Sequence, residues 1–145
     1  MDDCIFCRIA RGEIPCAKVF EDDETLAFMD LGPIVKGHVL VVPKTHYATL
    51  ADVPEETLAR VHATVKRVAA AQTKALGAQG VNVLQNNGAA AGQEVPHLHV
   101  HVIPRFENDG HRWNWNPKSY ESNEEMGALA ERIGAALGAQ TERTA

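Results

Sequence analysis

The chain has 145 residues, 45% apolar and 23% charged, the proportions of a soluble globular domain large enough to bury a core without disulfide staples. A formal net charge of −5 argues against a nucleic-acid groove binder, and no run approaches the ~18 apolar residues of a membrane span. The start, Met1-Asp2-Asp3-Cys4, lacks the basic and apolar stretches of a signal peptide, and three cysteines are an odd number for a disulfide framework; a cytoplasmic protein with free thiols is expected.

In chain order, a helical turn is expected from Cys4 to Arg11, stopped by Gly12. Two strands follow, Val19 to Glu21 and Thr25 to Asp30, turning at Asp22-Asp23-Glu24. Val39-Leu40-Val41-Val42, apolar throughout and closed by Pro43, reads as a strand buried on both faces. Asp52, with Pro54 and Glu55 behind it, has the pattern of a helix cap. The helix then carries Leu58, Val61, Val65, Val68, Gln72 and Leu76 on one stripe until Gly77 stops it, with His62 beside the stripe as packing or solvent-facing. Val81 to Leu84 is the next strand. It leads into the loop Asn86 to Gln93, whose glycines let backbone approach a ligand. Past Arg105, the segment His111 to Tyr120 is aromatic and basic, and an Ala-rich helix runs from about Asn123 to Leu137 with Gly138 behind it. Strands on both sides of one long helix, with short connections and no repeat or linker, give a single α+β domain built on an antiparallel meander.

The run Pro96-His97-Leu98-His99-Val100-His101-Val102-Ile103-Pro104-Arg105 alternates imidazoles with apolar residues between prolines. As a strand it would place all three rings on one face, each roughly 7 Å from the next. A His-x-His pair alone would suggest a metal chelate, but a third ring in phase lies too far from the first to share one small ion. Neutral imidazole is a competent nucleophile toward phosphorus, and an unperturbed pKa of ~6.5 keeps it neutral at cytoplasmic pH. His99, flanked on both sides, could attack a phosphorus that His101 contacts by hydrogen bond. Asp30 could accept from both hydroxyls of a ribose, although taken alone it reads as a turn residue. His38, taken alone, reads as a core histidine. Cys4, Cys7, His46 and His97 make a complete four-ligand set for a structural zinc ion; the plain alternative is two thiols and two ordinary histidines.

These residues carry a resemblance. His97-Leu98-His99-Val100-His101-Val102-Ile103 is similar to the motif of the histidine-triad (HIT) nucleotide hydrolases and transferases. So are Ile5-Phe6-Cys7-Arg8-Ile9 with Gly12-Glu13-Ile14-Pro15, Phe28-Met29-Asp30, Gly37-His38 through Thr45-His46, and Gly92-Gln93-Glu94-Val95. Together they span Cys4 to Arg105, the expected core, and leave the aromatic segment and helix of 106–138 uncovered. The resemblance implies a five-stranded antiparallel sheet with two main helices, a homodimer, His99 as nucleophile, His101 and His38 beside it, and zinc on the Cys/His set. It also implies contacts to ribose or phosphate from Asn86 and Gln93, and a cradle of backbone amides around Gln93, Glu94 and Val95. Glu94 stands where some family members carry a phosphate-binding Ser or Thr; an ionised carboxylate cannot donate in that way. The implied activity is hydrolysis or transfer at the α-phosphate of a purine nucleotide, most simply AMP, through a nucleotidyl-histidine. The leaving group is an amine, as in the Hint branch, or a phosphate chain, as in the Fhit branch. Two rivals stay open: a non-catalytic nucleotide- or zinc-binding module, and a zinc hydrolase with the metal on the triad.

Overall fold

The computed structural model describes residues 3–144, which divide into two units, one ending at His111 and the other beginning at Arg112. In the first unit a short helix α1 (Ile5–Ala10) precedes strands β1 (Lys18–Glu21), β2 (Thr25–Met29) and β3 (Val39–Pro43). The long helix α2 (Glu55–Leu76), β4 (Gly80–Leu84), a 3-10 turn (Ala89–Ala91) and β5 (Val100–Arg105) complete it. Every strand pair is antiparallel, in the order β1-β2-β3-β5-β4.

That order corrects the expected meander. The chain runs β1-β2-β3 as a meander, then crosses over through α2, and β5 slots between β3 and β4. The β1–β2 turn closes on Asp22, whose Oδ1 accepts from the Glu24 and Thr25 amides and the Thr25 hydroxyl.

All five residues of β3 are buried, as an all-apolar central strand requires. Alternation sends Val39 and Val41, with Val100 and Val102 of β5, into a core with Val61, Val65 and Val68 of α2. Leu40 and Val42 point the other way and pack with Phe6, Leu26 and Phe28. The sheet thus has one face under α2 and the other toward α1. Gln72, the polar member of the helical stripe, donates from Nε2 to the carbonyls of Gly37 and Val102, pinning α2 to both central strands. Gly37 has φ 104°, and a Cβ there would lie 2.7 Å from Leu76 Cδ1. Only glycine lets the chain pass under α2 into β3.

Three further expectations change. Asp52 does not cap α2: its Oδ2 accepts from the amide and hydroxyl of Thr49, closing the turn before the helix, and the N-cap is Pro54. The triad strand begins only at Val100, because Pro96 has no N–H and the chain bends there, with the His97 amide bonding to Val95 and the Leu98 amide to Tyr47. Gly77 does end α2 in the left-handed region, at φ 69°, but Gly138 does not end the last helix. In the second unit α3 runs Asn123–Thr144, since a glycine inside a helix weakens it without breaking it. Trp115, Tyr120 and Ile133 of this unit are exposed. Among the described residues no helix is long and apolar enough to cross a membrane.

Candidate active site

The site lies on the α1 side of the sheet, where β5 and the ends of β2 and β3 bring three imidazoles together. His38 leads into β3 directly after Gly37, and the residue is 1% exposed. Its Nδ1 accepts a hydrogen bond from the Ile34 amide at 3.1 Å, so the proton of the neutral ring sits on Nε2. That Nε2–H points at His101 Nδ1, 2.9 Å away, with Asp30 Oδ2 at 3.4 Å. His101 Nδ1 is therefore an acceptor and its own proton is on Nε2. His99 is opposite in sense. Its Nδ1 lies 2.7 Å from the carbonyl of His97 and must donate, leaving a lone pair on Nε2.

The rings are closer than two positions on a straight strand would place them: His99 and His101 centroids are 5.0 Å apart, and His38 and His101 are 5.1 Å apart. Burial, helped by the neighbouring His99 and His38, pushes the His101 pKa down to about 4. Burial also lowers His38, against the opposing pull of Asp30. A buried cation is costly, so both rings stay neutral near pH 7.

Two cavities meet at these rings. One, of about 280 Å³, is walled by apolar side chains including Phe6, Ile14, Phe28, Leu40 and Val95, and ends at Asp30, His99 and His101. The other, of about 420 Å³, is lined by Asp30, His38, Asn86, Gly92, Glu94, His99 and His101. Asp30 stands at their junction and serves a turn as well, accepting from the Gly32 amide at 2.8 Å.

Of the loop residues, Asn86 faces the second cavity, with its Nδ2 3.5 Å from the Gly92 carbonyl. Gln93 shapes the loop: its Oε1 accepts from the Gly88 amide, and its Nε2 donates to the carbonyls of Ala48 and Val95. Glu94 is exposed at the edge of both cavities.

His97 belongs to a different centre. Its Nε2 donates to the Pro43 carbonyl at 2.8 Å, which turns the Nδ1 lone pair toward Cys4 Sγ at 3.4 Å and Cys7 Sγ at 3.6 Å. His46 Nδ1 lies 3.4 Å from Cys7 Sγ. The four ligand atoms fall within 4.8 Å of one another. Zinc bonds of about 2.3 Å to sulfur and about 2.0 Å to nitrogen at tetrahedral angles separate S from N by about 3.5 Å, so these residues fit the ion. The carbonyl behind His97 is the outer-shell partner that metal-bound imidazoles usually have. Burial pushes the His97 pKa down to about 4, and burial with the adjacent Cys4 raises the Cys7 thiol.

Asp30, His38 and His101 also come within ligand range of each other, but their hydrogen bonds do not suit a metal. An ion on His38 Nε2 would move the ring proton to Nδ1, where the Ile34 amide already points its own hydrogen. This argues against the zinc-hydrolase alternative at the triad.

The sequence did not disclose the apolar wall of the first cavity or the backbone groups that set the tautomers, the Ile34 amide and the His97 and Pro43 carbonyls. Phe28, two residues before Asp30, was the one signal for the wall; main-chain groups carry no residue signature.

A family model described as HIT domain matches residues 11–108. Adenylylsulfatase HINT3 of Arabidopsis thaliana is 47% identical over 74% of this chain and 55% of its own length, so the match spans little more than half of that protein. Adenosine 5′-monophosphoramidase hnt1 of Schizosaccharomyces pombe is 44% identical over 92% of this chain and 98% of its own. A crystal structure from Streptococcus mutans UA159 superposes with TM-score 0.88 at 39% identity, covering 94% of this chain and 87% of the other. A zinc-bound histidine triad family protein from Mycobacterium smegmatis gives 0.74 at 38% identity, covering 93% and 98%.

Proposed function

Since the chain belongs to the HIT family, we propose that it is a nucleoside phosphoramidase or dinucleotide hydrolase that cleaves at the α-phosphate of an adenosine nucleotide through an adenylyl group on His99. The observation that carries this reading is the pairing of tautomers: a lone pair on His99 Nε2 beside an N–H on His101 Nε2. A nucleophile and a hydrogen-bond donor then face one phosphoryl group.

The apolar cavity takes the base, and Asp30 at its inner end accepts from the ribose hydroxyls. The α-phosphate sits over His99 and His101. His99 Nε2 attacks phosphorus, forming the N–P bond as the bond to the leaving group breaks. The imidazole gains positive charge, which the hydrogen bond from its Nδ1–H to the His97 carbonyl stabilises. His101 Nε2–H stabilises the charge growing on a phosphoryl oxygen, held in that orientation by His38. Water then attacks phosphorus and expels His99. Over the cycle one water supplies hydroxyl to phosphorus and a proton to the leaving atom.

Zinc on Cys4, Cys7, His46 and His97 would contribute folding stability by tying α1 to the segment before β5, and no chemical step uses it. We also propose a homodimer in the cytoplasm, on the family resemblance; β4 is an edge strand with Val83 half exposed, which a second copy could cover.

The test is single-turnover incubation with a fluorogenic adenosine phosphoramidate, with and without brief chelation. The expected result is release of amine and AMP in both. No release would favour the non-catalytic module, and rapid reversible loss on chelation of folded protein would put a metal in the chemistry.

A further inference from the structure

Glu94 follows the loop that closes the α-phosphate cavity, and among the described residues it makes no hydrogen bond or ion pair. It borders three cavities at once. Two are the base and phosphate cavities; the third, of about 400 Å³, continues outward between Asp3, Cys4, His46 and Pro96. No Lys or Arg lines any of the three. The rings of His38, His99 and His101 are joined as neutral tautomers. The permanent charges around the reacting phosphorus are therefore two carboxylates, Asp30 and Glu94. Asp30 is engaged by the Gly32 amide and His38, while Glu94 is unpaired at the mouth.

We propose that Glu94 is a specificity-determining residue that selects a cationic amine as the leaving group, with its tail in the outer groove that Glu94 borders. This rests on the hydrolase reading above. As the P–N bond breaks and the His99–P bond forms, the departing nitrogen takes a proton from water and becomes an amine able to carry positive charge. A carboxylate beside it attracts that charge and any second ammonium on the tail. A departing phosphate chain brings several negative charges past the same carboxylate, with no Lys or Arg to offset them. A Ser or Thr at this position would lack that preference.

The test compares two adenosine 5′-phosphoramidates with the same P–N linkage, one of hexylamine and one of 1,6-diaminohexane with its far amine free. The quantity read is the ratio of kcat/KM, cationic over neutral. At low salt the wild-type ratio should be about threefold to tenfold, as for a partly exposed charge pair, and should shrink at high salt. In Glu94→Gln, which keeps size and removes charge, the ratio should fall to near one. Glu94→Lys should push it below one and improve turnover of diadenosine tetraphosphate relative to the hexylamine substrate. A wild-type ratio of one, or a ratio that Glu94→Gln leaves unchanged, would overturn the assignment while hexylamine release keeps the hydrolase reading intact. If neither phosphoramidate is cleaved, the two fall together.

Discussion

His97 and His99 are two residues apart, share a wall in Phe6, and serve two centres of different kinds. Around Cys4, Cys7, His46 and His97, the Pro43 carbonyl accepts a hydrogen bond from Nε2–H of His97 and so leaves the Nδ1 lone pair facing two sulfurs. Around His38, His99 and His101, the Ile34 amide sets a directed chain through His38 that ends in the N–H of His101 Nε2, and the His97 carbonyl separately leaves a lone pair on His99 Nε2. The residue types overlap. Main-chain groups behind the rings decide which cluster presents lone pairs to an ion and which presents a nucleophile beside a donor.

The widest separation between the two centres should come from His99→Ala. Turnover should disappear while AMP affinity stays within about tenfold, because a covalent step is lost and the ribose and base contacts are kept. Retention of more than a few per cent of wild-type kcat would erase the distinction between the centres. The reciprocal change, Cys4→Ser with Cys7→Ser, should remove about one zinc per chain and several degrees of melting temperature, yet leave measurable phosphoramidase activity below the new midpoint. Zinc-free wild-type protein from zinc-supplemented medium would eliminate the first centre altogether.

A smaller effect sharpens the second centre. Asp30→Ala should weaken AMP by roughly 1.5 to 3 kcal/mol and a 2′,3′-dideoxy analogue far less, since a charged acceptor is lost only where hydroxyls meet it. Equal losses would assign Asp30 to its turn instead. The smallest effect concerns pH. His101 titrates at about 4 in the fold and near ~6.5 when unfolded. Between those values the unfolded chain binds more protons, so stability falls as pH drops through that window and levels off below it. His101→Gln should flatten the slope of melting temperature against pH between ~6.5 and about 4; an identical slope would mean the ring is not held neutral by burial.

Much of this architecture was legible from residue pattern. Val39 to Val42 announced a strand buried on both faces, the stripe from Leu58 to Leu76 announced α2, and Gly77 marked its end. The placement of β5 between β3 and β4 was not legible, because strand order depends on how α2 crosses the sheet rather than on any local periodicity. In the site, alternation put His97, His99 and His101 in one row; the rings of His99 and His101 stand 5.0 Å apart, and His97 turns its Nδ1 to the cysteines with which the sequence grouped it. Proline chemistry accompanies that division: without an N–H at Pro96 the chain bends before β5, where His97 meets the cysteines. The role of Gln93 was not legible for a related reason. An amide can serve a ligand or its own loop equally well, and three main-chain partners claim this one.

The central claim is a statement about four protons, and nitrogen-15 spectroscopy of the histidine side chains at neutral pH reads them directly. His99 should be the Nδ1–H tautomer, while His38, His97 and His101 should carry the proton on Nε2. A His99 ring protonated on Nε2, or a His101 ring protonated on Nδ1, would contradict the account: the first would leave no lone pair to attack phosphorus, and the second no donor to meet it.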